Sequence, residues 1–300
     1  MKKARKKGRR DKSRKFYFLI TALAIVIVGS LMGWLLLAQE EKSISTLKEP
    51  TKAQLVLLEK VYNEFRNFQY IPDVFPMEWE GYWRERFERL CGRKLDLEIT
   101  VETDYYQIPS ETLKRRGGDC EDLAILFVSI AKNLGISARA VSGSYQGPRD
   151  PKPLNHHWTE IYYRGKWQIV DPTLLVIRKK GIPFKKFIDN PEEYPTIIRI
   201  YCKYDDKVIE GILPRERAEA EKERVKKEAF DFLQNVFRNK RQREPSEIEL
   251  KEISLISEDL FKKGWAVVQA GYPEDPRTLI QPDNPEVKSW IEKIKSSSKG

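Results

Sequence analysis

The stretch Gly117–Gly135, GGDCEDLAILFVSIAKNLG, decides the fold. It predicts a helix with Asp119 as its N-cap and Gly135 just after its end. Apolar residues cover most of the helix circumference, so the helix should be buried on most sides. Its cysteine, Cys120, stands in the first turn beside carboxylates and outside the apolar run. Because a helix N-terminus stabilises a thiolate, this position favours a reactive thiol.

The acidic residues on both sides of Cys120 have the opposite effect, since nearby negative charge raises a thiol pKa. A reactive thiol at this position therefore needs a cationic partner. The chain contains two histidines, His156 and His157, adjacent in the segment HHWTEIYY. One of them is the natural candidate for an imidazolium beside the sulfur.

Beyond the helix the apolar period changes to two, in SARAVSGS, HHWTEIYY and KWQIVD. A helix followed by antiparallel strands predicts an α+β fold. If Arg164–Gly165 is a two-residue hairpin turn, His156 and Asp171 become diagonal neighbours on one sheet face. His157 then points to the opposite face, and one additional loop residue would invert this assignment.

These elements together predict a cysteine triad, with Cys120 as nucleophile, His156 as base and Asp171 as the carboxylate that orients the base. Each residue also has a structural explanation. Cys120 could be a small buried side chain, His156 a hydrogen-bonded rim residue, and Asp171 part of a turn that ends a strand. The three residues in this order, on these elements, favour catalysis.

The segment from Asp104 to Thr173 resembles the core of the transglutaminase-like superfamily. The resemblance lies in a cysteine that opens a buried helix, a His-x-Trp-x-Glu strand and a closing Asp-Pro-Thr. It implies a papain-related fold, in which the cysteine helix packs on an antiparallel sheet. By position it also implies Cys120, His156 and Asp171 as the catalytic residues.

Two further residues are weaker candidates. Acyl transfer needs donors for an oxyanion, and the backbone N–H of Cys120 is one. Gln107 is a second, where the superfamily pattern often has Trp-Gln and this chain has Tyr106-Gln107, although it could simply bond the backbone before Pro109. Glu160 supports either the site or the sheet. The cysteines and histidines lack metal-ligand spacing, so no metal and no cofactor are expected.

The N-terminus predicts a membrane anchor. Residues 1–15 hold ten Lys or Arg and one Asp, and residues 16–38 carry no formal charge across 23 positions. That length spans a bilayer, with the basic head in the cytoplasm and the following domain outside. A cleaved signal peptide is the alternative. The rest of the chain carries a net charge of about +1, so a nucleic-acid partner is not expected.

The remaining cysteines, Cys91 and Cys202, leave two possibilities open. All three thiols of the chain could be unpaired, or Cys91 could pair with Cys202 and leave Cys120 free. Helical patterns follow Pro214, including a stripe of Val225, Ala229, Phe232, Leu233 and Val236. These patterns predict a C-terminal helical appendage, and a coiled coil that binds a protein partner is the weaker possibility.

The predicted organisation has five parts. They are a basic cytoplasmic head (1–15), a transmembrane signal anchor (16–38), a linker (39–50), a transglutaminase-like domain (51–212) and a helical C-terminal region (213–300).

The predicted function is a membrane-anchored, externally facing thiol hydrolase that cleaves peptide or other amide bonds through an acyl-enzyme. Acyl transfer to an amine, as in a cross-linking transglutaminase, is a second possibility that the sequence does not separate from the first. A non-catalytic binding or scaffold module of the same fold is the third. The intact triad residues count against that third possibility.

Overall fold

A computed structural model of the chain gives the positions of residues 47, 49–77, 79–97, 99–102, 105–147, 151–178, 182–189 and 194–297. The predicted head and anchor, residues 1–15 and 16–38, lie outside these described residues, as does most of the linker 39–50. Within the described part, no helix is long and apolar enough to cross a membrane.

The first part of the chain combines helices with very short strands. Thr51 caps the first helix, as its side chain accepts the Gln54 N–H at 3.2 Å. The elements are α1 Lys52–Glu64, β1 Gln69–Tyr70, β2 Val74–Pro76, α2 Tyr82–Cys91, β3 Thr100–Glu102, α3 Pro109–Arg115, β4 Gly117–Gly118 and α4 Cys120–Asn133.

These short strands form two small sheets. Strand β1 pairs in parallel with β4, and β2 pairs antiparallel with β3. The sequence predicts that residues 71–83 are irregular. The structure differs from this prediction, because the short strand β2 lies within the segment. The sequence also predicts a short helix over 82–91, and α2 has these bounds.

A five-stranded antiparallel sheet follows, with two helices inserted before its last two strands. The elements are β5 Ala138–Gln146, β6 Leu154–Tyr163, β7 Lys166–Val170, α5 Pro172–Arg178, α6 Phe184–Asp189, β8 Thr196–Tyr204 and β9 Ile209–Gly211. The strand order is β7-β6-β5-β8-β9.

The predicted hairpin register is confirmed. Strand β6 turns at Arg164–Gly165, so that Tyr163 pairs with Lys166 and Thr159 with Val170. Both turn residues have positive φ, 55° at Arg164 and 74° at Gly165, which is the backbone twist that two-residue hairpins favour.

Helix α4 packs on this sheet, which gives the α+β architecture that the sequence predicts. Ten consecutive residues of α4, from Asp122 to Ala131, are buried, together with Glu121. Gly135 follows the helix with φ of 76°, as a C′ glycine does. The helix therefore lies inside the protein, and its first residue, Cys120, is its half-buried end.

The C-terminal residues form three helices, α7 Pro214–Arg241, α8 Glu247–Gly271 and α9 Pro285–Ser296. Helices α7 and α8 pack against each other and share an apolar cluster with α2. Helix α9 contributes Val287, Ile291 and Ile294 to the main core. Residues 49–300 form one compact unit, and the division into 51–212 and 213–300 stays a prediction.

All three cysteines are unpaired, so the predicted alternative of a Cys91–Cys202 disulfide is wrong. Cys91 belongs to the apolar cluster shared by α2, α7 and α8, and Cys202 belongs to the main core. Burial raises the pKa of each of these two thiols to about 11. Both are therefore unreactive packing residues.

Candidate active site

The Cys120 sulfur lies against the backbone that joins the two histidines. Its S–H donates to Glu121 Oε2 at 3.2 Å, and the backbone N–H of His157 donates to the sulfur. The sulfur, a Glu121 carboxylate oxygen and a His157 ring nitrogen all lie within 4.8 Å of one another. Because the His157 nitrogen is bonded to the carbonyl carbon of His156, the sulfur sits beside the peptide between both residues.

His156 and Asp171, which the register makes diagonal neighbours, are in contact. His156 Nε2 lies 2.7 Å from Asp171 Oδ2. The fully buried carboxylate also accepts the Tyr194 hydroxyl at 3.0 Å and the Thr173 N–H at 2.9 Å. A carboxylate partner requires the proton on Nε2, which leaves Nδ1 as the proton acceptor of a neutral His156 ring.

Aromatic packing holds the His156 ring. The Tyr145 ring stands edge-on at 4.9 Å between centroids, and the Trp158 indole lies at 6.4 Å and 26°. Trp158 extends across Gly143, where a Cβ atom would come 2.5 Å from the indole and 2.4 Å from the Arg199 carbonyl. Glycine at position 143 is therefore a steric requirement of this arrangement.

His157 occupies a different environment from His156. Its Nε2 lies 3.2 Å from the Tyr106 hydroxyl, and its Nδ1 lies 3.8 Å from Glu121 Oε2. Burial is the main reason why its pKa lies well below the ordinary value, and electrostatic interactions with Arg217 and with His156 lower it further. His157 is therefore a neutral imidazole at pH 7 and a weak base.

The thiol of Cys120 is protonated at neutral pH in this structure. Burial raises its pKa well above the ordinary range, and the charges of Glu121 and Asp119 raise it further. The hydrogen bond from the His157 backbone N–H lowers the pKa but does not offset these effects. Nucleophilic attack by Cys120 therefore requires a base that removes the proton during the reaction.

Tyr194 interacts both with the His156–Asp171 pair and with Cys120. The pKa of Tyr194 is raised mainly by burial, then by Asp171, whose carboxylate it bonds, with a smaller effect of Cys120. The Tyr194 hydroxyl, which bonds Asp171, therefore lies close enough to Cys120 for a thiolate there to raise its pKa. The structure brings His156 to Asp171 and His157 to Cys120, and the assignment of His156 as the base stays a prediction.

We expect Glu121→Gln to lower the pKa of the Cys120 thiol, because it removes a negative charge that raises this pKa. Alkylation by iodoacetamide follows the thiolate fraction, so the inflection of its rate should move to lower pH. The rate at pH 8 should rise severalfold, although burial keeps the pKa above its ordinary value. Mass-spectrometric mapping of Cys120 alkylation between pH 6 and 10 measures this. Glu111→Gln, on an exposed residue of α3, is the control, and an unchanged inflection in Glu121→Gln would contradict the expectation.

Gln107 bonds the carboxylate of Asp122 through its backbone and its side chain. Its backbone N–H donates to Asp122 Oδ1 at 2.7 Å, and its side-chain N–H donates to Asp122 Oδ2. Asp122 Oδ2 also accepts the Asp119 N–H at 3.3 Å, and thus holds the turn that precedes Cys120. Gln107 therefore fixes the start of α4, and its predicted role at an oxyanion stays a prediction.

Asp122 makes the stability of the protein depend on pH. Burial raises its pKa to about 7, and Asp73 adds to the effect. Since the ordinary value is 3.8, the folded protein keeps this proton through a pH window in which the unfolded chain has lost it. The contribution of Asp122 to the free energy of unfolding therefore falls as pH rises from about 4 to about 7, by about 1.4 kcal/mol for each unit of pKa difference.

We expect Asp122→Asn to flatten this dependence. Denaturant unfolding at pH 5 and pH 8 should show a loss of a few kcal/mol in the wild type and a clearly smaller loss in the variant. The Gln107 amide can rotate to accept from the new NH₂ group, which limits the damage. Asp96→Asn, on an exposed aspartate, should behave like the wild type. Equal pH dependence in wild type and Asp122→Asn would show that Asp122 does not bind this proton.

Glu160 belongs to the sheet hydrogen-bonding network. It is directly opposite Arg139 in the β5–β6 register, and the Arg139 guanidinium bonds its carboxylate at 2.6 Å. The same guanidinium lies 4.1 Å from the centre of the Trp167 ring. Of the two predicted roles of Glu160, these contacts correspond to support of the sheet.

Among the residues that the structure describes, two groups of side chains have donor atoms close enough to share a metal ion. Cys120, Glu121 and His157 offer sulfur, oxygen and nitrogen, and the buried carboxylates of Asp73, Asp119 and Asp122 form a second group. Zinc accepts the first set of donors, but only if the thiol is deprotonated. A metal there would use the sulfur that the predicted chemistry needs, so no step is assigned to one.

Three residues that contact the site are not among the catalytic or supporting residues that the sequence predicts. Glu121 bonds the thiol, His157 lies beside it, and Tyr194 bonds Asp171. Glu121 and His157 are each adjacent in the sequence to a predicted catalytic residue, and this adjacency could have identified both of them. Tyr194 had none, since it lies 23 residues beyond Asp171 in the chain and reaches it only through the fold.

Comparison with known proteins agrees with this class of α+β fold, in which a cysteine opens a buried helix on an antiparallel sheet. Residues 87–172 match the family model described as Transglutaminase-like superfamily, so the chain carries a transglutaminase-like domain. The match contains Cys120, His156 and Asp171. No curated protein matches the chain.

Two chains of solved structures match. One is "a Putative Cysteine Protease from Cytophaga hutchinsonii", which is 21% identical and has a TM-score of 0.27. The match covers 53% of this chain and 39% of that chain. At this similarity the activity of that protein carries no weight for this chain.

Proposed function

We propose that this protein is a thiol hydrolase of peptide or other amide bonds. The observation that carries the proposal is a thiol at the start of a buried helix, beside the peptide that joins two histidines, one of which bonds a buried carboxylate at 2.7 Å. The transglutaminase-like domain and its Cys–His pair support the same reaction class.

In the proposed reaction, His156 Nδ1 accepts the Cys120 proton while the sulfur attacks the carbonyl carbon. Asp171 holds the Nε2–H and stabilises the imidazolium. N–H groups at the start of α4 face the developing oxyanion. Collapse of the intermediate expels the amine, which takes the proton from His156, and leaves a thioester on Cys120. Water, deprotonated by His156, then releases the acid and regenerates the thiol.

His156 is a better candidate for this base than His157 for two reasons. The contact with Asp171 fixes its tautomer and leaves Nδ1 as a proton acceptor, whereas His157 has Tyr106 at one ring nitrogen and Glu121 near the other. The low pKa of His157 also makes its ring a poor acceptor for the thiol proton.

An assay in which water and a primary amine compete as acyl acceptors tests the reaction type. The full chain is incubated with a mixture of glutamine-containing peptides and a labelled primary amine, and the products are identified by mass spectrometry. We expect cleaved peptides or free acids without incorporation of the amine. Amine-bearing products would instead assign the protein to acyl transfer, and the absence of any product would favour a non-catalytic module.

We also propose that residues 16–38 anchor the protein in the membrane, with the catalytic domain outside the cell. The support is the sequence, a 23-residue uncharged segment after a basic head. Protease added to intact cells that express the full chain should digest the part after residue 49. If that part is protected in intact cells and digested only after lysis, the catalytic domain lies inside the cell and the proposed orientation is wrong.

A further inference from the structure

Cys120 lines a large cavity that is also lined by the C-terminal helices. The cavity has a volume of about 690 Å³, and Asp119 and Glu121 line it beside Cys120. Residues of α7 and α8 contribute a second part of the lining, which is called the wall. Both helices follow residue 172, so this wall lies outside the segment that matches the superfamily model.

The wall is apolar and follows helical spacing on both helices. Val225, Ala229 and Phe232 recur at i, i+4 and i+7 on α7, and Phe261, Trp265 and Val268 recur in the same way on α8. The α7 stripe that the sequence predicts is therefore divided between two surfaces. Leu233 and Val236 pack into the cluster with α2, and Phe232, with 39% of its surface exposed, faces the cavity.

The wall is fixed to the domain that carries the catalytic residues. Trp79 Nε1 donates to Asp259 of α8 at 3.1 Å, and Arg86 forms a two-contact pair with Glu252 of α8. At the start of α7, Arg217 donates to Ser142 Oγ at 2.9 Å, and Ser142 is directly opposite His157 in the sheet. The cavity is therefore already formed without a ligand.

The charges in the cavity complement one kind of occupant. Asp73, Asp119, Glu121 and Glu228 contribute carboxylates, and Arg217 is the cationic side chain among the lining residues of the described chain. Acidic groups near Cys120 disfavour an anionic group beside the scissile bond. A volume of this size accommodates several side chains, so a peptide fits it better than a single small amide.

From these observations we infer that α7 and α8 form the substrate-specificity wall of the enzyme and bind a large apolar side chain of a non-acidic peptide substrate. This inference rests on the proposed hydrolase function. It assigns the C-terminal helices a role inside the active site, whereas the sequence suggests only a protein partner for them. Phe232 is the side chain expected to contact the substrate, whereas Trp265 is buried in the apolar cluster between α7 and α8 and supports the wall from behind.

Peptide profiling tests the wall. A fluorogenic peptide library, varied one position at a time with Phe, Leu, Ala, Gly or Glu, is given to the full chain. We expect kcat/KM to be at least about 10-fold higher with Phe or Leu than with Gly at one position. Phe232→Ala should remove most of that preference through KM. Val225→Ala should have a smaller effect in the same direction.

Leu255→Ala is the matched control, because it removes an α8 side chain that is 54% exposed and does not line the cavity. Hydrolysis of p-nitrophenyl acetate reports on Cys120 independently of the wall. If the protein hydrolyses this ester but cleaves the peptides without any preference for Phe or Leu, the inference is overturned and the proposed function remains intact. An unchanged preference in both Phe232→Ala and Val225→Ala would also overturn it. No turnover of any ester or peptide would overturn both.

Discussion

Replacement of Cys120 by alanine should abolish hydrolysis, with a loss in kcat of at least about 10⁴-fold. The sulfur is the atom that forms the thioester, and the neighbouring carboxylates provide no equivalent nucleophile. Half-buried Cys120 fills little of the core, so the free energy of unfolding should change by less than about 1 kcal/mol. Initial rates with p-nitrophenyl acetate, together with a denaturant titration, measure both effects.

Cys91→Ala is the matched control for this variant. Its thiol is buried among apolar side chains, and its pKa of about 11 keeps it protonated at neutral pH. It should therefore retain activity while it loses some stability. Ester hydrolysis that persists in Cys120→Ala and disappears in Cys91→Ala would remove Cys120 from the reaction.

His156→Gln should reduce kcat about 10³-fold or more, because the base that accepts the Cys120 proton is lost. Glutamine can still donate an N–H to Asp171, so the buried carboxylate keeps a hydrogen-bond partner and the fold should be retained. The rate with p-nitrophenyl acetate and the pH dependence of kcat give the readout. The change of kcat with pH that comes from ionisation of the base in the wild type should be absent from the variant.

His157→Gln separates the two histidines. It alters the contacts with Tyr106 and Glu121 but keeps the backbone N–H that bonds the sulfur. We expect a loss of about 10-fold or less. A loss of about 10³-fold in His157→Gln, with a small effect in His156→Gln, would identify His157 as the base and Glu121 as its orienting carboxylate.

The fold followed from local patterns to a large extent. The Asp119 cap and the apolar pattern after it define a helix start that the structure confirms. The two-residue turn at Arg164–Gly165 fixed the β6–β7 register, and with it the contact between His156 and Asp171. These features are set by neighbouring residues, so the sequence contains enough information to predict them.

The surroundings of the sulfur could not be predicted in the same way. Which histidine ring approaches Cys120 depends on how α4 sits on the sheet, and no spacing in the sequence encodes that placement. The placement of Tyr194 beside Asp171 and of α7 and α8 across the cavity depends on long-range packing. The raised pKa of Cys120 has burial as its largest cause, which only the folded structure defines.

The most direct measurement is the mass of the acyl-enzyme. The full chain is mixed with p-nitrophenyl acetate, quenched in acid within the first turnovers, and mapped by peptide mass spectrometry. A thiol hydrolase should carry one acetyl group on Cys120, which disappears as the ester is consumed and accumulates far more slowly in His156→Gln. Acetylation that is absent from Cys120, or that forms there equally fast in His156→Gln, would contradict the role of Cys120 as a His156-activated nucleophile.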